Sequence, residues 1–309
     1  MGMSGMYGHA DEAETVATIH SAIDAGMNLL DTGDFYGMGH NEMLIGRALR
    51  EYRSRRDQVL LSVKFGGLRG PDQSWNGYDA RPVAVKNFLA YSLQRLGLDH
   101  IDIYRPARLD PAVPIEETVG AIADLIEKGY VRYVGLSEVG VETIRRAAAV
   151  HPVCDLQIEY SLISRGPEAE IFPALRELGI GVTAYGVLSR GLLSGSKVQA
   201  KGDFRAAFPR FSGANYEKNL ALLRSFEEFA ASKGATPSQV AVAYVLAKEK
   251  IAVPVIGART RRQLAEALGS VRLQLTPEDV ADLERRVPAE QIAGSRYGEH
   301  QMRVLDSER

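Results

Sequence analysis

Residues 29 to 37 read LLDTGDFYG. The apolar run Met27 to Leu30 ends in Asp31, passes through a Thr-Gly-Asp turn and presents Tyr36 ahead of two glycines. This pattern predicts a buried strand delivering a carboxylate and a phenol into a loop. On an α/β barrel such a loop faces the common mouth, where a rigid strand end holds catalytic groups in place. A plainer reading, a helix cap beside a packing tyrosine, fits the stretch equally well on its own.

The surrounding sequence favours the barrel. Upstream, Val16, Ile19 and Ile23 recur at helical spacing, with Asp11 as cap candidate and Gly26 as stop. Downstream come a helix over about 41–52 and the buried strand QVLLSVK (58–64), which ends in Lys64. A polar loop over 66–80 then holds Trp75 and Tyr78. Further strands are expected to begin at 101, 131, 154, 180 and 252, separated by helical patterns. Such alternation predicts a parallel sheet and most readily a (β/α)8 TIM-type barrel. Only seven strands are counted, so either the opening MGMSGMYG is the stub of a truncated first strand or the barrel has a gap. No linker, repeat or low-complexity tract divides the chain, which reads as one domain over 1–309 with a polar, loosely packed tail from about Pro288.

Composition narrows the function. A net charge of -2 over 309 residues provides no basic field for nucleic acid or an anionic membrane. Cys154 is the only cysteine, which excludes an internal disulfide and a multi-cysteine metal site, and its apolar neighbours suggest a buried thiol. No histidine and acid cluster has metal-ligand spacing, so no metal is expected. Without a signal peptide or an 18-residue apolar run, the expected location is cytoplasmic. YGMGHNE imitates a dinucleotide-binding glycine turn, but Glu42 stands where that turn needs a small residue. His40 reads as an exposed helix-start histidine rather than a proton relay.

A tyrosine has an ordinary pKa of about 10, so donating a proton near neutrality requires help worth about 4 kcal/mol. One ammonium about 4 Å away at moderate effective dielectric supplies that much. Lys64, ending the next strand, is the candidate, and Asp31 would hold it in place and keep it charged.

LLDTGDFYG, SVKFGG, VGLSEV, LQIEYSL, TAYGVLSRGLLSG and VIGARTRRQLAEAL, in this order and spacing, resemble the aldo-keto reductase superfamily. The resemblance implies a barrel that binds NADP(H) in extended form and reduces a small-molecule carbonyl. It makes Tyr36 the general acid, with Lys64 and Asp31 as its supports. PARLDP and GLSEVGVETIRRA look most like the pyridoxal reductases. The histidine that family members carry after the fourth strand is replaced here by Ala107. Losing such an oxyanion donor typically costs about 10²- to 10³-fold in rate. Arg105, Arg108 or an ordered water could substitute; for Arg105 the preferred reading is an interior charge balanced by acids. Trp75, Tyr78, Arg105 and Arg108 are the substrate-binding candidates.

For the cofactor, the resemblance places Ser137 and Gln157 at the nicotinamide carboxamide, with Glu138 where many members have asparagine. It places Tyr185 against the nicotinamide ring, and Gly186, Leu188, Ser189, Gly191 and Leu192 over the pyrophosphate. Gly257 begins the turn into the last helix of the motif, whose N-terminus is a natural phosphate site. Arg259, Thr260 and Gln263 match the adenosine-phosphate positions, which favours NADPH over NADH because a 2'-phosphate suits a guanidinium fork. Glu266 matches an adenine contact, and Ala267 replaces the usual asparagine. The alternative function is an NADPH-binding regulatory or redox-sensing subunit with slow turnover, resembling potassium-channel β subunits. Monomer and homo-oligomer both remain open.

Overall fold

Strand and helix alternate as the apolar spacing predicts, and the strands are buried because helices pack against them. The computed structural model describes residues 2–4, 10–196, 198 and 203–309. Met1 and Gly5–His9, most of the opening read as a possible strand stub, lie outside them.

In chain order the elements are α1 (Glu12–Asp24), β1 (Leu29–Gly33), α2 (His40–Glu51), β2 (Leu60–Phe65), β3 (Gly67–Arg69), β4 (Trp75–Tyr78) and α3 (Pro82–Leu96). These are followed by β5 (Ile101–Pro106), α4 (Ile115–Glu127), β6 (Val131–Ser137), α5 (Val141–Val150), β7 (Val153–Glu159) and α6 (Ile171–Leu178). Then come β8 (Gly181–Tyr185), α7 (Gly213–Ser232), α8 (Pro237–Lys248), β9 (Ala252–Pro254), α9 (Arg261–Leu268), α10 (Pro277–Arg286) and α11 (Glu299–Val304). All seven strand starts expected from sequence fall within two residues of those observed. The parallel sheet has seven strands in the order β1-β2-β5-β6-β7-β8-β9. A full eight-stranded barrel is not seen among the described residues.

By its internal contacts the chain divides into two compact units. The first holds Met1–Gln157, Gly257–Leu264 and Arg309; the second holds Ile158–Ile256 and Ala265–Glu308. In the first unit, β1, β2, β5 and β6 run parallel as neighbours, and register places Gly33 beside Lys64 and Lys64 beside Arg105. Alternation along β2 sends Leu61, Val63 and Phe65 to one buried face, and Ser62 and Lys64 to the other. The loop expected over 66–80 contains a short antiparallel hairpin, β3-β4.

In the second unit, β8 pairs with β9 in parallel, and α8 opens with a capping box in which Thr236 and Gln239 satisfy each other's backbone N–H. The tail from Pro288 is not loose. Leu305 and Arg296 are buried, and Arg296 forms ion pairs with Glu159 and Glu308. A residue pattern rich in charge reads as solvated, but these charges find partners at a distance in sequence.

Candidate active site

Asp31, Lys64, Arg105 and Gln157 end neighbouring strands of the first unit, and their side chains converge. Lys64 Nζ donates to Asp31 Oδ2 at 2.5 Å. Asp31 Oδ1 accepts from Ser62 Oγ at 2.9 Å and from Gln157 Nε2 at 2.8 Å. Arg105, fully buried, pairs with Asp155 at 3.0 Å and donates to Ser62 Oγ at 3.0 Å. Gly135 makes this possible, because a Cβ there would lie 3.0 Å or less from Arg105 and Asp155.

Lys64 Nζ also lies 5.0 Å from the centroid of the Tyr36 ring, so the expected Tyr-Lys-Asp cluster is assembled. Burial pushes the Asp31 carboxyl up, but the charges of Lys64 and Arg105 and the bonds from Lys64 and Gln157 bring it below the ordinary carboxylate range. Burial outweighs Asp31 at Lys64, and with the positive fields of Arg105 and Arg108 it holds that ammonium below the ordinary lysine range. The backbone just beyond Tyr36 is left-handed at Met38 (φ 53°), a strained conformation of the kind concentrated at functional loops.

Ala107 is 2% exposed, and its N–H donates to the Phe65 carbonyl at 2.8 Å. Arg108 Nη1 donates to the Ala107 carbonyl at 2.6 Å. Arg105 is thus an interior charge balanced by Asp155, whereas Arg108 is half-buried and its charge is felt at Lys64. Phe35 contacts the edge of Tyr36 at 4.9 Å and of Trp75 at 5.3 Å, and Trp75 meets Tyr78 at 5.3 Å. The hairpin aromatics therefore join the Tyr36 loop, with Trp75 41% exposed and the Arg69 guanidinium 5.6 Å from its ring.

Ser137 Oγ is buried without a hydrogen-bond partner, an orphaned hydroxyl that a ligand amide would satisfy. Glu138 beside it is buried with a left-handed backbone (φ 54°) and donates its N–H to the Gln157 carbonyl at 3.0 Å. At the start of α9, Gln263 Oε1 accepts the Arg259 N–H at 2.9 Å, and Thr260 Oγ1 accepts the Gln263 N–H at 3.3 Å. The carboxylate of Glu14 accepts the Arg261 N–H at 2.8 Å and its guanidinium at 2.9 Å. An anionic group thus already occupies this helix N-terminus, the chemistry a phosphate would share. Arg261 is exposed but paired with Glu14.

The second unit carries the remaining cofactor candidates. Tyr185 Oη and Tyr297 Oη are 3.0 Å apart. Gly186 has φ 68°, and a Cβ there would lie 2.9 Å from Glu159. Leu188 precedes the left-handed Ser189, Arg190 and Gly191, and Leu192 is buried. Ser189 Oγ is buried without a hydrogen-bond partner. Glu266 is exposed, accepting from Thr236 Oγ1 at 3.1 Å.

The sequence reading missed Asp155, Ser62, Phe35 and Tyr297. Asp155 was discoverable, since it shares strand parity with Gln157 and an interior Arg105 needs an acid. Cys154 is half-buried, and burial and Asp155 push its thiol up to about 12. His40 bonds Glu12 at 3.0 Å and Ser4 at 3.3 Å.

The parallel α/β sheet brings Tyr36, Lys64 and Asp31 together as the aldo-keto reductase motif places them. The Aldo/keto reductase family model matches residues 1–287, and the chain belongs to that family. It is 38% identical over 303 residues to a probable aldo-keto reductase 1 of Glycine max, covering 96% of this chain and 86% of that protein. Its fold is similar to that of a glycerol dehydrogenase from Gluconobacter oxydans, with TM-score 0.82 and 30% identity over 93% of this chain and 90% of that one. It also resembles a thermostable aldo-keto reductase solved with the inhibitor epalrestat, with TM-score 0.71 and 25% identity over 92% of this chain and 93% of that one. No helix among the described residues is long and apolar enough to cross a membrane, and no cluster of potential metal ligands is found among them.

Proposed function

We propose that the chain is an NADPH-dependent reductase of small aldehydes or ketones, on a barrel of the (β/α)8 kind, with pyridoxal as the substrate to try first. The observation that carries this is Lys64, whose ammonium is 2.5 Å from Asp31 and 5.0 Å from the Tyr36 ring centroid. When bound, NADPH supplies the hydride. Tyr36 gives its proton to the carbonyl oxygen, and the Lys64 charge favours the phenolate left behind. Asp31 holds Lys64 at that station, and Ser62 and Gln157 hold Asp31.

Ser137 and Gln157 would hold the carboxamide, and Gly257, Arg259, Thr260 and Gln263 the adenosine phosphate. Tyr185 to Leu192 and Glu266 enter by the family resemblance. With Ala107 in place of histidine, the Arg108 guanidinium is the nearest donor in sequence for the developing oxyanion. Replacing Tyr36 by Phe is expected to lower NADPH oxidation with a good aldehyde by about 10³-fold while cofactor binding persists. Undiminished turnover would overturn the assignment. The absence of a histidine at Ala107 also favours a second reading, a slow redox-sensing protein; single-turnover oxidation of bound NADPH separates them, since a sensor would take minutes or longer.

A further inference from the structure

Behind the loop that carries Tyr36, two acids are buried together. Asp34 is 8% exposed, and Glu42 on α2 is fully buried. Arg95 on α3 supplies the cation, with Nε 2.5 Å from Glu42 Oε2. Tyr104 on β5 also faces both acids, its hydroxyl donating to the Val85 carbonyl at 3.1 Å. Two carboxyl groups therefore share one guanidinium, and Glu42 has it. Asp34 Oδ1 and Glu42 Oε1 are buried without a hydrogen-bond partner. A buried carboxyl in this position keeps its proton because ionisation would leave an uncompensated charge out of water. Burial, then the charge of Glu42, pushes the Asp34 carboxyl up to about 7, against the opposing pull of the Gly66 N–H and Arg95.

Asp34 also joins the two strands that carry the chemistry. Its N–H donates to the Lys64 carbonyl at 2.9 Å, and its Oδ2 accepts from the Gly66 N–H at 3.4 Å. Tyr36 follows two residues later on the same loop. With Asp34 neutral, Arg95 faces Glu42 as its one buried counter-charge in this layer.

We infer that Asp34 is a positioning residue for carbonyl reduction, which in its neutral form seats the Tyr36 loop on the Lys64 strand and on ionisation releases it. This rests on the reading of Tyr36 as proton donor. The kcat for aldehyde reduction is therefore expected to fall about tenfold between roughly pH 6 and pH 8, a drop of the size that small misplacements of a reacting group produce. Asp34→Asn, a neutral isostere, keeps the low-pH kcat through this range. Glu42→Gln removes the repelling charge and moves the step down by about one pH unit.

Difference infrared spectroscopy tests the acid itself. The wild-type chain should show a protonated carboxyl band that titrates near neutrality and is missing from Asp34→Asn. A kcat step that persists in Asp34→Asn, or no titrating band in the wild type, overturns the inference. Should Asp34→Asn fail to fold, a step that stays in place in Glu42→Gln overturns it instead. The infrared titration stands whether or not Tyr36→Phe abolishes turnover, so failure of the functional reading is separately visible.

Discussion

Two buried charged clusters of the first unit stand in contrast, one balanced and one short of a cation. Around Tyr36, the acids Asp31 and Asp155 face the bases Lys64 and Arg105, and Ser62 and Gln157 fill remaining hydrogen-bond positions. In the layer behind, Asp34 and Glu42 share Arg95 alone, and each retains an oxygen with no hydrogen-bond partner. The difference shows how one fold sets opposite protonation states in buried carboxyls. Paired with cations, Asp31 is held ionised; without one, Asp34 holds its proton up to about 7. A balanced cluster makes a fixed electrostatic platform, and an unbalanced one makes a group that titrates.

The largest expected effect comes from unbalancing the balanced cluster. Arg105→Met leaves Asp155 buried without its guanidinium and should destabilise the chain by about 3–5 kcal/mol in urea denaturation at pH 7. A loss below about 1 kcal/mol would show that the buried pair adds little to stability.

Next is the removal of the titrating acid. The Asp34 pKa is raised from 3.8 to about 7, so its contribution to stability is fully present below the unfolded value and lost as pH rises through 7. Asp34→Asn escapes that loss, so it should exceed the wild type by about 2–4 kcal/mol at pH 8 and approach it near pH 4. A difference independent of pH would mean that Asp34 is ionised throughout.

Arg95→Met should have the smallest effect, about 1–3 kcal/mol at pH 7, because Arg95 is 27% exposed where Arg105 is fully buried, so water partly replaces the lost guanidinium. Its cost should shrink further at pH 5. A penalty as large as that of Arg105→Met would erase the contrast between the clusters.

Much of the cluster around Tyr36 was legible because the motif puts Asp31, Tyr36 and Lys64 at or just beyond adjoining strands. The partners of those residues were not. Gln157 reaches Asp31 from 126 positions away, and Asp155 reaches Arg105 from the same distant strand. The hairpin β3-β4 escaped notice because its residues are polar and its strands are too short for alternation to register. The tail from Pro288 was misread for a related reason, since charges count as solvent-facing until a buried partner such as Glu159 is known.

The sequence by itself determined the alternation of strand and helix, the charged and polar residues at the strand ends, and the absence of the usual histidine at Ala107. These follow from periodicity and residue identity, which are local. Only the tertiary structure decided which charges cancel, because a charge's environment is set by strands and helices remote in the chain. Asp31 and Asp34 are three residues apart in one motif, yet one is pinned as an anion and the other keeps a proton, since Lys64 and Arg105 face the first and Glu42 faces the second.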